Sequence, residues 1–378
     1  MKILGIVAEY NPFHLGHLFH LEVSRARSMA DGVVAVMSGN FVQRGECAFF
    51  DKFTRAKMAI AAGVDLVLEL PYLYASSSAD YFATGSIDLL VDIRVVNAIS
   101  FGAESADVET LQDIADILVE KKNALDQLFR IYSAEGHSYP IAHQKALEHF
   151  TKKTLRNPND LLALQYVRRL RERQATPELI SIPRTGQSHH QSAGAIRRAA
   201  RIGEWKHLLP DFCLPIIEDK KPLFPEDFFE EILFAIVTSR DLQNIHGMEE
   251  GLENLLKENA KTATSFEELL EKTKSKRYTR TRLSRLLFHQ LFHVYKTDMD
   301  SLIGTNYVRP LAFNETGQDI LRLVKEQSPL PIISNIPRFR GTKKEETLFE
   351  WDLLTSRLYY RKAQLPFDTD FAAPLLLL

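Results

Sequence analysis

The chain has 378 residues, a formal net charge of −2 and an ordinary balance of hydrophobic (45%) and charged (25%) residues. That length suggests two domains, each with its own core. The near-neutral charge excludes a global pull towards nucleic acid or membrane, so an RNA-binding surface would have to be local. Two cysteines far apart, Cys47 and Cys213, argue against a disulfide framework or a cysteine-rich zinc site. The start, "MKILGIVAEYNP", is too short an apolar run for a signal peptide, and no stretch reaches the ~20 apolar residues of a membrane span. The expected location is the cytoplasm, with no membrane partner.

In chain order, "KILGIVA" (2–8) has strand length, and a helical pattern runs from about Gly16 to Met29. "VVAVM" (33–37) is a second strand, followed by the polar loop "SGNFVQRGE" (38–46). Asp51 is a natural N-cap for the helix "KFTRAKMAIAA". "DLVLEL" (65–70), a helix over 80–92 and "VNAISFG" (96–102) complete a strand–helix alternation. Continuous apolar strands separated by helices predict a parallel sheet covered on both faces, with ligands beyond the carboxyl ends of its strands. Residues 103–175 read as mainly helical, "LISI" (179–182) as a further strand, and a helix opens near Ala193. Prolines 210, 215 and 222 mark a boundary. We therefore expect an α/β domain over 1–205 and a mainly α-helical domain over 206–378. The tail "APLLLL" is expected to pack on the body or on a partner.

"AEYNPFHLGHLFHL" (8–21) leaves the first strand with three histidines, His14, His17 and His20. Their i, i+3, i+6 spacing drifts around a helix and no cysteine is near, which does not favour zinc. A packed helix start is a bland alternative, most of all for His20. A phosphate cradle fits the context better, because free N–H groups at a helix start favour an anion. Two imidazoles there would donate to a triphosphate as charge builds on departing pyrophosphate. A side chain at Gly16 would block a nucleotide ring.

His14-Leu15-Gly16-His17 resembles the "HIGH" motif of the nucleotidylyltransferase superfamily, a Rossmann-like fold. "QSAGAIRR" (191–198) stands where that superfamily has its Ser/Thr-rich loop, keeping Ser192 and Arg197 and departing at Ala193 and Gly194. The ordered set "GIVAEYNPFHLGH", "SGNFVQRGE", "DKFTRAKMA", "DLVLELP" and "FGAE" resembles the bacterial tRNA(Met) cytidine acetate ligase family, with Cys47 and Ala103 as departures. The resemblance extends more loosely through "PNDLLALQY" (158–166) and "IPRTG" (182–186).

That family resemblance implies an enzyme that activates acetate with ATP as acetyl-adenylate. It then transfers the acetyl group to N4 of the wobble cytidine of elongator tRNA(Met), with Mg²⁺ held by the triphosphate. It implies that ATP lies along Val7, Ala8, Glu9, Tyr10, Asn11, Pro12, Phe13, His14, Gly16, His17 and His20, with Gly102, Asn159, Arg184 and Ser192 as further contacts. Pyrophosphate departure falls to His14, His17 and Arg197. Gly102 as a strand-end turn, Asn159 as a helix cap and Arg184 as a solvated arginine remain open alternatives. The loop "MSGNF" (37–41) is a candidate acetate pocket.

The densest basic stretch holds Lys272, Lys274, Lys276, Arg277, Arg280, Arg282 and Arg285. The first six are the expected RNA contacts, with a solvated helical face as the alternative. "RRLRER" (168–173) and "IRRAAR" (196–201) are weaker candidates, and Arg44 would meet either RNA or substrate. Two other functions are compatible with these motifs: an adenylyltransferase of coenzyme synthesis, and a non-catalytic RNA-binding protein with a decayed nucleotide site.

Overall fold

A computed structural model describes residues 1–105, 107–137, 139–155, 157–183, 192–275, 277–372 and 376–377. Arg184 and Lys276 lie outside the described residues.

The strands are β1 (Ile3–Ala8), β2 (Gly32–Ser38), β3 (Phe41–Val42), β4 (Glu46–Cys47), β5 (Leu66–Leu70), β6 (Ala98–Ala103), β7 (Glu178–Pro183), β8 (Pro310–Phe313) and β9 (Leu376–Leu377). Seven of them form one sheet in the order β7-β6-β1-β2-β5-β8-β9, and β3 and β4 form a separate hairpin. The five strands from β7 to β5 run parallel. Apolar residues alternate between the two faces: Val34 and Val36 enter one core cluster, and Val33, Ala35 and Met37 the other. Helices cover both clusters. Leu21 and Met58 reach one from helices Leu15–Ser28 and Lys52–Ala61, and Phe82 and Ala163 reach the other from helices Ala79–Asp92 and Pro158–Glu172. This is why the strands read as unbroken apolar runs.

The expected strands and helices of the first half are present within a residue or two, and Asp51 caps its helix by accepting from the N–H groups of Phe53 and Thr54. The loop 38–46 is more ordered than its polarity suggests, since it contains the β3–β4 hairpin. A strand that the sequence reading did not identify, β8, comes from the second half and pairs antiparallel with β5. The tail then adds β9 parallel to β8. The second half is otherwise built of helices, among them Phe229–Thr238, Leu252–Ala260, Phe266–Thr273, Arg280–Leu291 and Lys343–Lys362. No helix among the described residues is long and apolar enough to cross a membrane.

Strand order fixes where a ligand can lie. From β1 the chain moves outward through β2 and β5, then returns to the other side of β1 for β6 and β7. The crevice at that reversal, beyond the carboxyl ends of β1 and β6, is where open α/β sheets bind ligands.

Candidate active site

β1 ends at Ala8, and the chain turns through a cis Asn11–Pro12 peptide into helix Leu15–Ser28. Val7 and Ala8 close the strand, and Glu9 to His14 form the turn. Gly16, His17 and His20 lie on the helix.

His14 is the N-cap. Its backbone is extended (φ −149°), and its ring Nδ1 accepts the N–H of Gly16 at 3.0 Å. An accepting Nδ1 carries no proton, so in the neutral imidazole the proton sits on Nε2. The cap thereby fixes the tautomer that can donate to an anion. It also explains Gly16, because a Cβ there would fall 2.8 Å from His14 Cε1. The first constraint on Gly16 is therefore the imidazole folded over it.

The His17 ring stacks on that of His14, with centroids 3.7 Å apart, and meets Tyr10 edge-on at 5.0 Å. Phe13 lies beneath them and touches Phe212 from the proline-rich segment that follows the first half. His20 faces β6, where its Nε2 lies 3.2 Å from Ser100 Oγ, itself 2.7 Å from Ser24 Oγ. That contact ties the helix to the sheet.

Arg197, from helix Ala193–Ala200, reaches the same turn. Its Nη1 donates to the carbonyl oxygen of Asn11 at 2.6 Å, and its Nη2 pairs with Glu46 at 2.9 Å. Ser192 caps that helix by accepting the N–H of Ala195. The two predicted motifs, far apart in sequence, thus meet at Asn11. Glu9 accepts the Gln43 N–H at 2.8 Å. Burial pushes its carboxyl above the usual range, against the opposing charges of Arg44 and Arg197.

At the β6 exit, Gly102 pairs in register with Ile182. Asn159 is not the cap of its helix; Asn157 is. The Asn159 amide donates to Glu104 instead. Asp160 accepts the N–H groups of Glu104 and Ser105 and the Ser105 hydroxyl at 2.6 Å. Burial raises its pKa, but those bonds together outweigh burial and hold it below the usual carboxylate range.

Two features escaped the sequence reading. Arg55, fully buried, donates to the carbonyl oxygens of Phe50, Glu9, Ser38 and Gly39, lacing the ends of β1 and β2 together. A signal was present: Arg55 shares the apolar helix face of Met58 and Ala59, and a buried cation needs partners. The second is an ionic cluster at the end of β5. Lys52 contacts Glu69 and Asp370 at 2.7 and 2.8 Å, and Arg309 contacts the same two acids at 2.8 and 2.7 Å. The loop 37–41 lies against this cluster: Asn40 accepts the Lys52 N–H and donates to Ser356. The Asn40 side chain is thus taken by the protein, while the buried Ser38 hydroxyl has no hydrogen-bond partner among the described residues.

The described basic residues of the 272–282 stretch all face glutamates. Lys272 pairs with Glu268, Lys274 with Glu271, Arg280 with Glu267, and Arg277 and Arg282 with Glu249. Among the described residues no group of three or more His, Cys, Asp or Glu is placed to hold a metal ion.

Comparison with known proteins follows the same lines. Residues 1–369 match the family model of the HIGH nucleotidyl transferases. The tRNA(Met) cytidine acetate ligase of Caldanaerobacter subterraneus subsp. tengcongensis is 37% identical over 380 residues, covering 95% of each chain. That of Thermosipho africanus is 35% identical and covers all of both chains. The crystal structure of Thermotoga maritima TmcAL bound with alpha-thio ATP superposes over the full length of both chains with a TM-score of 0.93, at 33% identity.

Proposed function

The chain belongs to the HIGH nucleotidyl transferases and, within them, to the tRNA(Met) cytidine acetate ligases, and on that premise we propose which residues carry the reaction. It is an ATP-dependent ligase acting on tRNA(Met).

In our reading ATP lies in the crevice between β1 and β6. Its phosphates meet the first turn of helix Leu15–Ser28, and Gly102, Asn159, Arg184 and Ser192 complete the contacts. Acetate, already an anion near neutral pH, needs no general base. One carboxylate oxygen attacks the α-phosphorus, the bond to the bridging oxygen breaks, and pyrophosphate leaves. The barrier falls through alignment and through donors aimed at the leaving group. His14 Nε2–H, His17 and the Arg197 guanidinium are those donors. Mg²⁺ accompanying the triphosphate would offset part of its charge, as a hard cation suited to phosphate oxygens.

In the second step the N4 amine of the wobble cytidine of elongator tRNA(Met) attacks the acetyl carbonyl of the mixed anhydride. The C–O bond to AMP breaks and the amine loses a proton. A delocalised amine is a weak nucleophile, which suits an acyl-adenylate acceptor. The base has to leave the anticodon stack to reach it, as single-stranded RNA readers require. The basic stretch 272–282 is the proposed outer contact with tRNA phosphates.

The observation that carries this reading is the meeting of Arg197 with the carbonyl of Asn11, three residues from the His14 cap. The test is acetate-dependent exchange of labelled pyrophosphate into ATP without RNA. Exchange that needs acetate supports the adenylate; exchange indifferent to acetate refutes it.

A further inference from the structure

The cations most available to RNA lie away from the basic stretch. There each described cation already has a glutamate, so a polyanion has to compete with a carboxylate for it. The arginines of 168–173 are committed as well: Arg169 and Arg173 hold Asp88, Arg171 holds Asp116 and Arg168 holds Glu172. Phosphate binding draws on uncompensated positive charge.

Two arginines that make no ion pair among the described residues lie at the β3–β4 hairpin. Arg44, at its tip, is exposed and makes no ion pair among the described residues. Arg285, on helix Arg280–Leu291, donates Nη1 to the Gln43 carbonyl at 3.1 Å and has no carboxylate partner among the described residues. Burial, with the charge of Arg282 added, pulls its pKa down to about 10, as expected of a cation lacking counter-charge.

Gly45 locks the two together. Its φ is +72°, and a Cβ would fall 2.3 Å from the backbone nitrogen of Arg285. Ser284 Oγ donates to the Gly45 carbonyl at 2.5 Å. No side chain fits between tip and helix, so the hairpin tip that carries Arg44 is held against the backbone of Arg285. On its other side the hairpin is bonded to the nucleotide turn, through Gln43 N–H to Glu9 and through Glu46, Arg197 and Asn11. The tip therefore bridges the helical half and the loop that carries His14.

We infer that Arg44 and Arg285 form a phosphate clamp that grips the backbone of the single-stranded RNA loop while its cytosine enters the ATP site. This rests on the ligase reading above and adds where the RNA is held. The planar guanidinium fork matches phosphate oxygens. Arg285 is pre-oriented by the Gln43 carbonyl, which leaves its charge unneutralised. Exposed Arg44 closes on the other side. ATP phosphates are the rival occupant, and pyrophosphate exchange without RNA separates the two.

The test uses the full chain in two assays: tRNA(Met) binding across a salt series, and acetate-dependent pyrophosphate exchange without RNA. Arg44→Ala is expected to weaken tRNA binding roughly tenfold and to reduce the log–log salt slope by about 0.7–1. Its exchange rate should match the parent's, which also reports an intact fold. Arg44→Lys should restore the slope but only part of the affinity, because charge returns without the fork. Arg285→Gln should weaken binding in the same way. Parental affinity and slope in both Arg44→Ala and Arg285→Gln would overturn the clamp. So would loss of exchange in Arg44→Ala, which would assign that arginine to ATP. A parent that binds tRNA but never exchanges pyrophosphate refutes the ligase reading and leaves the clamp to be judged on binding alone.

Discussion

Arg197 Nη1 lies 2.6 Å from the carbonyl oxygen of Asn11, and this bond joins the helix Ala193–Ala200 to the histidine-bearing turn. The same guanidinium holds Glu46 at 2.9 Å. We expect Arg197→Gln to lower the rate of pyrophosphate exchange by about 10²-fold, the scale of one lost transition-state donor. The loss should fall on kcat more than on the KM for ATP. Arg197→Lys keeps the charge but cannot span both partners, and should recover little. Parental exchange in both variants would remove Arg197 from the chemistry.

His14 has two duties that can be separated. His14→Ala should lose the cap, costing about 1 kcal/mol of stability, and the donor. His14→Asn restores an acceptor for the Gly16 N–H but places no imidazole at the phosphates. It should unfold at nearly the parental urea midpoint while exchange falls about 10²–10³-fold. An active His14→Asn enzyme would reduce this residue to a helix cap.

The basic stretch should contribute less per charge than the hairpin tip. Lys274→Gln, Arg277→Gln and Arg280→Gln together remove three cations and release Glu271 and Glu267, while Glu249 keeps Arg282. We expect weaker tRNA binding at low salt and a flatter salt slope, with exchange retained. Unchanged tRNA affinity would remove the basic stretch from the RNA surface.

His246 and His289 lie 5.2 Å apart between ring centroids. Burial pushes His246 down to about 4 and His289 to about 3, with the charge of His246 adding to the second. Both folded-state values lie below the ordinary histidine value of about 6.5. The unfolded chain therefore takes up protons first. The stability these histidines contribute is complete above pH 6.5 and is lost as pH falls towards 4. Asp352 works in the opposite direction: burial and the charge of Glu69 lift it to about 7, so its contribution grows as pH falls below 7. The comparison is thus with a variant. Between pH 6.5 and 5, His289→Gln should lose about 1–2 kcal/mol less than the parent in urea titrations. Parallel curves would contradict this.

The sequence made the first half legible because physics left few alternatives there. Runs such as Val33–Met37 have to be buried on both faces, and Asp51 announces its helix through its own cap. The histidine turn could be read because a strand, a proline and a glycine converge on a helix start. The cap alternative for Asn159 fails because the cap position falls to Asn157, with Pro158 at the first helical position. The strand β8 was hidden since "PLAF" is short, opens on proline and pairs at a late-added edge. The basic run looked like free charge, because its glutamates are mostly supplied by the preceding helices and turns. Arg44 and Arg285 were both visible, but only the backbone contact at Gly45 shows that the hairpin tip lies against the helix of Arg285.

The product is the most direct readout of the reaction. The protein is incubated with ATP, Mg²⁺, labelled acetate and bulk bacterial tRNA, and nucleosides from the digested RNA are separated by mass spectrometry. Label is expected in elongator tRNA(Met) at one cytidine, as N4-acetylcytidine, with AMP and pyrophosphate released and no support from acetyl-CoA in place of ATP and acetate. Label confined to a free nucleotide or coenzyme, and never found in tRNA, would contradict it.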